Sequence, residues 1–283
     1  MKDRIDTFII WPHGLKNKKG IIELISKDFD VLYIKQIKVR SMRGFVKAVY
    51  NFDYAPLVHL KNKTKYLEKV GNDVMCIVVR NKNPELELFD VGKFRHIECA
   101  RVKSKKTQIR NEYNPRLNGK LSEEHVIHAS DNEQQSYDIM RLFKVPKEIS
   151  IRSQSGTYHI NKGNSYQLRY VKLNDIYCFN FELNDKKIRR VERELINSVQ
   201  YDFIQGNKEN YEEYLNMFLG VSLHDLYSAT KFEKLIHGFE FDRCPPILIK
   251  EDSKGRYYVL DGLHRATTTK SLGIKEIKAM VIK

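Results

Sequence analysis

The sequence predicts an α+β protein built in two parts, and three observations carry that expectation. At 283 residues the chain is long for one domain, and two smaller ones fit better. Apolar runs of strand length alternate with segments whose apolar residues recur at helical spacing. Near Pro146 the pattern changes, and residues 147–183 become short apolar stretches between Gly and Asn breaks. The expected boundaries are therefore a first domain at 1–146, a β-rich connecting segment at 147–185 and a second domain at 186–283.

Taken in order, Thr7-Phe8-Ile9-Ile10-Trp11 is a run of strand formers broken by Pro12-His13-Gly14. Ile21, Ile22, Leu24, Ile25 and Phe29 have helical spacing, and 30–37 reads as a second strand. Residues 73–80 form a buried-strand pattern. Residues 100–125 are polar and basic and read as a long loop. Val126-Ile127-His128 is short and apolar, and Ser130-Asp131 signals a helix start running to about Phe143. Two or three antiparallel strands are expected over 147–183. From Lys186 the spacing of Ile188, Val191, Leu195 and Ile196 predicts helix, followed by helices over 211–218 and 226–236. The aromatic, charged stretch 201–214 reads as an exposed helix pair. Cys244-Pro245-Pro246 stops the helices. Strands then follow at 247–249 and 257–260, a helix at 266–272 capped by Gly273, and a last strand at 277–282.

Composition narrows the classes. The net charge of +14 suits partners that carry phosphate, but the lysines are spread along the chain rather than clustered, so nucleic acid is the alternative and not the first choice. The basic stretch 101–110 has no aromatic residue interleaved to stack on bases. Cys76, Cys99, Cys178 and Cys244 are scattered, with no paired spacing for a disulfide framework or a zinc knuckle. No apolar run approaches the ~20 residues of a membrane helix, and the N-terminus has no secretory pattern. A cytoplasmic protein without a membrane partner is expected; an oligomer is compatible with the sequence.

Candidate chemistry lies in two places. At the C-terminal end a strand delivers Asp261, Gly262 lets the backbone turn sharply, and a helix begins beside His264 and Arg265. Helix starts favour anions, and a guanidinium adds a forked donor. Thr267, Thr268, Thr269 and Lys270 supply further donors for a bound nucleotide, and Asp261 is suited to hold Mg²⁺ or to accept a proton.

This Asp-Gly-Leu-His-Arg element in its strand–turn–helix frame resembles the ParB/sulfiredoxin-like superfamily over roughly residues 220–283. Its members include nucleotide-binding partition proteins, sulfiredoxins and free serine kinases. Sulfiredoxin chemistry needs a cysteine where this chain has Leu263. The serine kinases carry the Asp-Gly-x-His-Arg form, so the resemblance implies Asp261, His264 and Arg265 as phosphate and catalytic residues. It also implies an upstream acidic residue, for which Asp225 is the candidate.

Two pieces of the first domain resemble nucleoside diphosphate kinase. One is 7–14 with the following helix and strand; the other is Val126-Ile127-His128-Ala129-Ser130-Asp131 and its helix. The resemblance implies a ferredoxin-like βαββαβ sandwich over about residues 5–145, with His128 as phospho-carrier and Ser130 beside the nucleotide. An unprotonated imidazole is nucleophilic at neutral pH, which such a role requires. Two departures stand out: Trp11 occupies the place of the family's phosphate-binding lysine, and His125 that of an asparagine.

The expected function is a phosphotransferase that moves the γ-phosphate of ATP, or another nucleoside triphosphate, with Mg²⁺ to a hydroxyl of a small acceptor at the Asp261–Arg265 turn. The alternatives are a nucleotide-sensing DNA-binding module and a nuclease. The first lacks a recognisable helix-turn-helix after the motif, and the second lacks a cluster of carboxylates.

Overall fold

The computed structural model describes residues 3–50, 57–91, 94–122, 124–149, 155–160, 164–184, 187–217 and 228–282. The chain is α+β and forms two compact units: Met1–Glu87 with Ile97–Ser153, and Leu88–His96 with Gln154–Lys283.

The first unit runs β1 (Arg4–Ile10), α1 (Lys18–Ser26), β2 (Asp30–Lys38), α2 (Met42–Val49), α3 (Leu57–Val70) and β3 (Asp73–Asn81). The hairpin of β4 (Leu86–Val91) and β5 (Phe94–Cys99), most of which is counted with the second unit, follows in the chain; the first unit then continues with α4 (Ala100–Tyr113), the short β6 (Arg116–Leu117) and β7 (Lys120–Leu121), β8 (Ile127–Ala129) and α5 (Glu133–Leu142). Its sheet has the order β2-β3-β1-β8, antiparallel throughout. With β1, β2, β3 and β8 counted as four strands, this is the ferredoxin-like order. The central β1 is buried along its whole length. Ile5 and Ile9 enter a core with Val46, Leu67 and Phe143, whereas the ring of Phe8 meets Phe29 at 5.8 Å. Each such side chain gains roughly 1.5–3 kcal/mol on burial, which is why an unbroken apolar run occupies the middle of the sheet.

Two features depart from the sequence reading. A pair of helices, α2 and α3, lies between β2 and β3; the side chain of Ser41 caps α2 by accepting from the Gly44 N–H at 3.1 Å. Residues 100–113, expected as loop, form α4. The helical stripe was hidden because Lys105 occupies one of its inward positions beside Val102 and Ile109. Its stem is buried while Nζ reaches Asp28 at 2.6 Å and Gln108 at 2.7 Å.

The second unit contains β9 (Gly156–His159), β10 (Ser165–Lys172), β11 (Ile176–Asn184), β12 (Lys187–Glu194), α6 (Val199–Ile204), α7 (Lys208–Asn216), α8 (Ala229–His237), β13 (Ile247–Glu251), β14 (Tyr257–Asp261), α9 (Leu263–Ser271) and β15 (Glu276–Ile282). Its sheet has seven strands in the order β12-β11-β14-β13-β15-β10-β9. The strands expected as a connecting segment over 147–185 are thus members of this sheet. β10 pairs along its length with the C-terminal β15, and β11 pairs with β14 and β12. Residues 187–194, expected as helix, are the edge strand β12, in antiparallel register with β11 from Asn184↔Lys187 to Tyr177↔Glu194. Here tertiary pairing overrides a weak helical period: Ile188 is 53% exposed, so the apolar spacing never marked a buried face. Helix α9 sets Ala266 and Leu263 against Ile247, Ile249, Ile277 and Val281.

Lys105→Glu should destabilise the first unit by about 2 kcal/mol or more, because it places a carboxylate at a buried position opposite Asp28. Urea denaturation checks this: the midpoint falls while the slope stays unchanged.

Candidate functional site at the Asp261–Arg265 turn and around His128

Strand β14 ends at Asp261, and Gly262 takes φ +92° before α9 begins at Leu263. A Cβ at Gly262 would lie 2.6 Å from Ile247 Cγ2 and 3.0 Å from Arg265 Cζ, so both the conformation and the space call for glycine. The Arg265 guanidinium holds the turn closed. Its Nη2 donates to Asp261 Oδ2 at 2.7 Å, and its Nη1 donates to the carbonyls of Pro245 and Pro246 at 2.7 and 3.0 Å. One residue before Arg265, the His264 ring sits edge-on to Phe232 at 4.5 Å, with Nε2 2.7 Å from the Tyr211 hydroxyl. Burial pushes the His264 pKa down to about 4, with Asp261 opposing the shift and Arg265 adding to it. The imidazole is therefore neutral at pH 7 and cannot supply the charge expected of it.

The other expected residues of this site divide. Thr267, Thr268 and Thr269 are 0%, 1% and 0% exposed. Their hydroxyls donate back to the carbonyls of Leu263, His264 and Arg265, which corrects the expectation that they face a nucleotide. Lys270 Nζ bonds Asn174 Oδ1. Asp225 lies outside the described residues. Tyr211 and Phe232 were missed as site residues. The stretch 201–214 was expected to be exposed, yet Tyr211 is 1% exposed and joins Phe203, Leu215 and Phe232 in a small core. The only signal in the sequence was the helical spacing of Tyr211 and Leu215.

In the first unit His128 lies on β8 opposite Ile9, 3% exposed, with its ring 4.7 Å from that of Tyr50. Its Nε2 has no hydrogen-bond partner among the described residues. Burial, then the charges of Lys106, Lys63 and Arg110, hold its pKa well below the usual value, so the ring is neutral. Ser130 is 1% exposed; its hydroxyl accepts from the Thr7 N–H at 3.0 Å and from Ser136 at 2.7 Å. It ties β8 to β1 and is not displayed beside a nucleotide, a correction to its expected role.

Around His128 gather cations that the sequence did not single out. Lys63, from α3, sets Nζ 4.7 Å over the Trp11 ring and 5.9 Å over Tyr50. Burial, then Arg110, pushes its pKa down to about 7. Arg110 donates from Nη2 to the Ile127 carbonyl at 3.3 Å, and its Nε has no partner among the described residues. Lys106 pairs with Asp131 at 3.1 Å. His125 Nδ1 accepts from Asn114 at 3.0 Å, and burial with Arg110 beside it lowers the pKa to about 4. Trp11 itself is fully buried, edge-on to Phe45 at 6.1 Å and stacked on Tyr50 at 6.4 Å. Trp11 fills the core, and Lys63 brings its Nζ to the ring face from another helix.

Among the described residues no helix is long and apolar enough to cross a membrane. Cys76, Cys99, Cys178 and Cys244 are all free. No family model matches the chain. Over 64 residues it is 36% identical to the ATP-dependent L-serine kinase SbnI of Staphylococcus aureus, a stretch that covers 22% of this chain and 25% of that protein. The chain thus spans about a quarter of that relative's length. Among solved structures it is similar to the nucleoside diphosphate kinase of Aquifex aeolicus, at 14% identity and TM-score 0.32 over 50% of this chain and 96% of that one. It is also similar to the Borrelia burgdorferi enzyme, at 14% identity and TM-score 0.33 over 54% and 92%.

His264, His125 and His128 all have pKa values lowered in the folded protein, so between about pH 4 and 6.5 the unfolded chain binds protons that the folded one refuses. Their contribution is complete above pH 6.5 and is lost as the pH falls. Urea midpoints measured from pH 7.5 to 4.5 should drop steadily, and His125→Gln should flatten the slope.

Proposed function

We propose that the chain is a nucleotide-dependent phosphotransferase whose reaction centre is the Asp261–Arg265 turn. The observation that carries this is the clamp itself: a carboxylate at a strand end, oriented by a guanidinium beside the start of a helix. The 36% identity to a protein named as an ATP-dependent L-serine kinase supports it. Asp261 takes the proton from a small acceptor's hydroxyl as that oxygen attacks the γ-phosphorus. The bond to the bridging β–γ oxygen breaks, and the nucleoside diphosphate leaves with its electron pair. Arg265 orients Asp261 rather than gripping the phosphate, since its Nη2 holds the carboxylate and its Nη1 two carbonyls. The helix start supplies favourable N–H dipoles for the phosphates.

A hard carboxylate oxygen of this kind suits Mg²⁺ carried by the nucleotide, and no group of three His, Cys, Asp or Glu among the described residues could hold a metal alone. Bound there, Mg²⁺ would neutralise phosphate charge.

A second phosphoryl site at His128 is favoured by one observation: a neutral, buried imidazole with an unpartnered Nε2 inside a ring of cations. Lys63, and not residue 11, is the cation of that site.

The test of the main reading is ADP release from Mg²⁺-ATP across a panel of small hydroxyl compounds, including free serine. Asp261→Asn should lower acceptor-dependent turnover by roughly 10²–10⁴-fold, the usual contribution of a general base. Turnover at the wild-type rate in that variant overturns the reading. For the His128 site, Lys63→Met should raise the melting temperature at pH 8, because burial holds the Lys63 pKa down to about 7 and the wild-type side chain must give up its proton on folding at that pH. The same variant should lose part of the stabilisation that nucleotide confers on wild type, read by thermal shift.

A further inference from the structure

We infer that phosphate binding at the His128 cluster takes up a proton, and that Lys63 is the group that receives it. The inference rests on the reading of that cluster as a phosphoryl site, and adds the linkage that sets the pH range in which it binds. Lys63 reaches the cluster from α3, with Nζ 4.7 Å over the Trp11 ring and 5.9 Å over Tyr50. It makes no ion pair and no hydrogen bond among the described residues. Two buried groups of the same cluster also lack partners there: the Trp11 indole N–H and the Arg110 Nε–H. Each can only donate, so the place is furnished to receive an acceptor.

The groups around Lys63 make the empty place a poor one for an ammonium. Arg110 and Lys106 approach from α4. His13 comes from the turn after β1 with Lys16 beside it, and His125 and His128 come from the approach to β8 and from β8 itself. All three rings feel the charge of Lys63. The nearby carboxylates are engaged elsewhere: Asp131 pairs with Lys106 at 3.1 Å, and Glu124 accepts from the Tyr66 hydroxyl. Burial first, then Arg110, holds the Lys63 pKa down to about 7. A phosphate set among these donors reverses the balance, because an adjacent negative charge favours the ammonium over the amine. Above pH 7 the empty site then holds mostly amine and the occupied site ammonium. Binding draws a proton from solvent, and affinity falls as the pH rises. The histidines titrate below 6.5 and Tyr66 above 10, so at pH 8.5 the linkage belongs to Lys63.

The experiment is calorimetry of Mg²⁺-ATP binding to the full chain, in two buffers of different ionisation enthalpy, at pH 6.0 and 8.5. The difference in heat between buffers counts the protons taken up. Lys63→Arg is the comparison, since a guanidinium stays charged with the site empty or full. Any ATP bound at the Asp261–Arg265 turn contributes equally to both proteins. At pH 8.5 wild type should take up between about half and one proton per ATP more than Lys63→Arg, and at pH 6.0 the two should agree. From pH 7.5 to 8.5 the wild-type affinity should fall roughly five- to tenfold, and that of Lys63→Arg less than about twofold. Lysine Cε–Nζ correlation spectra, with Lys63 assigned by Lys63→Arg, read its midpoint directly: about 7 without ATP and well above that with it. A midpoint in the free protein like that of an exposed lysine, or equal proton uptake by wild type and Lys63→Arg, overturns the proposal. Absence of ATP binding to wild type at both pH values overturns it together with the site. Failure of phosphoryl transfer alone shows differently: radiolabelled ATP leaves no acid-labile phosphate that His128→Gln abolishes, while the Lys63-dependent proton uptake persists.

Discussion

The C-terminal site depends on one guanidinium. Arg265 spends its two terminal nitrogens on three acceptors from two parts of the chain: the end of β14, and two successive carbonyls on the approach to β13. A charge-assisted hydrogen bond is roughly twice as strong as a neutral one, and a planar fork gains geometry as well as energy. The arrangement converts a flexible strand–turn–helix into a rigid support for one carboxylate. It also explains why Gly262 must approach so closely, since the guanidinium carbon lies where a Cβ would point. A charge that the motif suggests for phosphate is thus committed to structure.

The first unit shows the opposite economy. Of its gathered cations Lys106 pairs with Asp131, whereas Lys63 rests on aromatic faces. Burial lowers the pKa values of Lys63, Arg110, His125 and His128, and neighbouring cations add to the shift for Lys63, His125 and His128. Aromatic faces return part of that energy through the ring quadrupole. A fold that keeps such a cluster near a buried imidazole forgoes stability at that place, which is the usual trade at a binding site.

How much could be read in advance varied by element. The strands 7–11 and 73–80 were plain because both faces are buried and the sequence is correspondingly apolar. Helix α4 was illegible because a buried position is filled by the stem of Lys105, which no apolar count detects. Strand β12 was read as helix because an exposed edge strand carries no period of its own, and pairing with β11 alone decides it. At the site, Asp261, Gly262, His264 and Arg265 stand together in sequence and were visible as a unit. Tyr211 and Lys63 were not, since each reaches its partner only after distant elements have packed.

The sequence by itself determined the α+β class, the strand–turn–helix at Asp261–Arg265, and the short apolar run that carries His128. These are local matters of periodicity, backbone freedom at glycine and burial of apolar runs, and neighbours along the chain suffice to specify them. Tertiary structure alone decided that the threonines of α9 turn inward, that Ser130 is a strap between strands, that Lys63 faces Trp11, and that Tyr211 holds His264. The physical reason is common to all four. A polar side chain takes its role from whichever donor, acceptor or ring the fold brings within a few ångströms, and that partner is seldom near it in sequence.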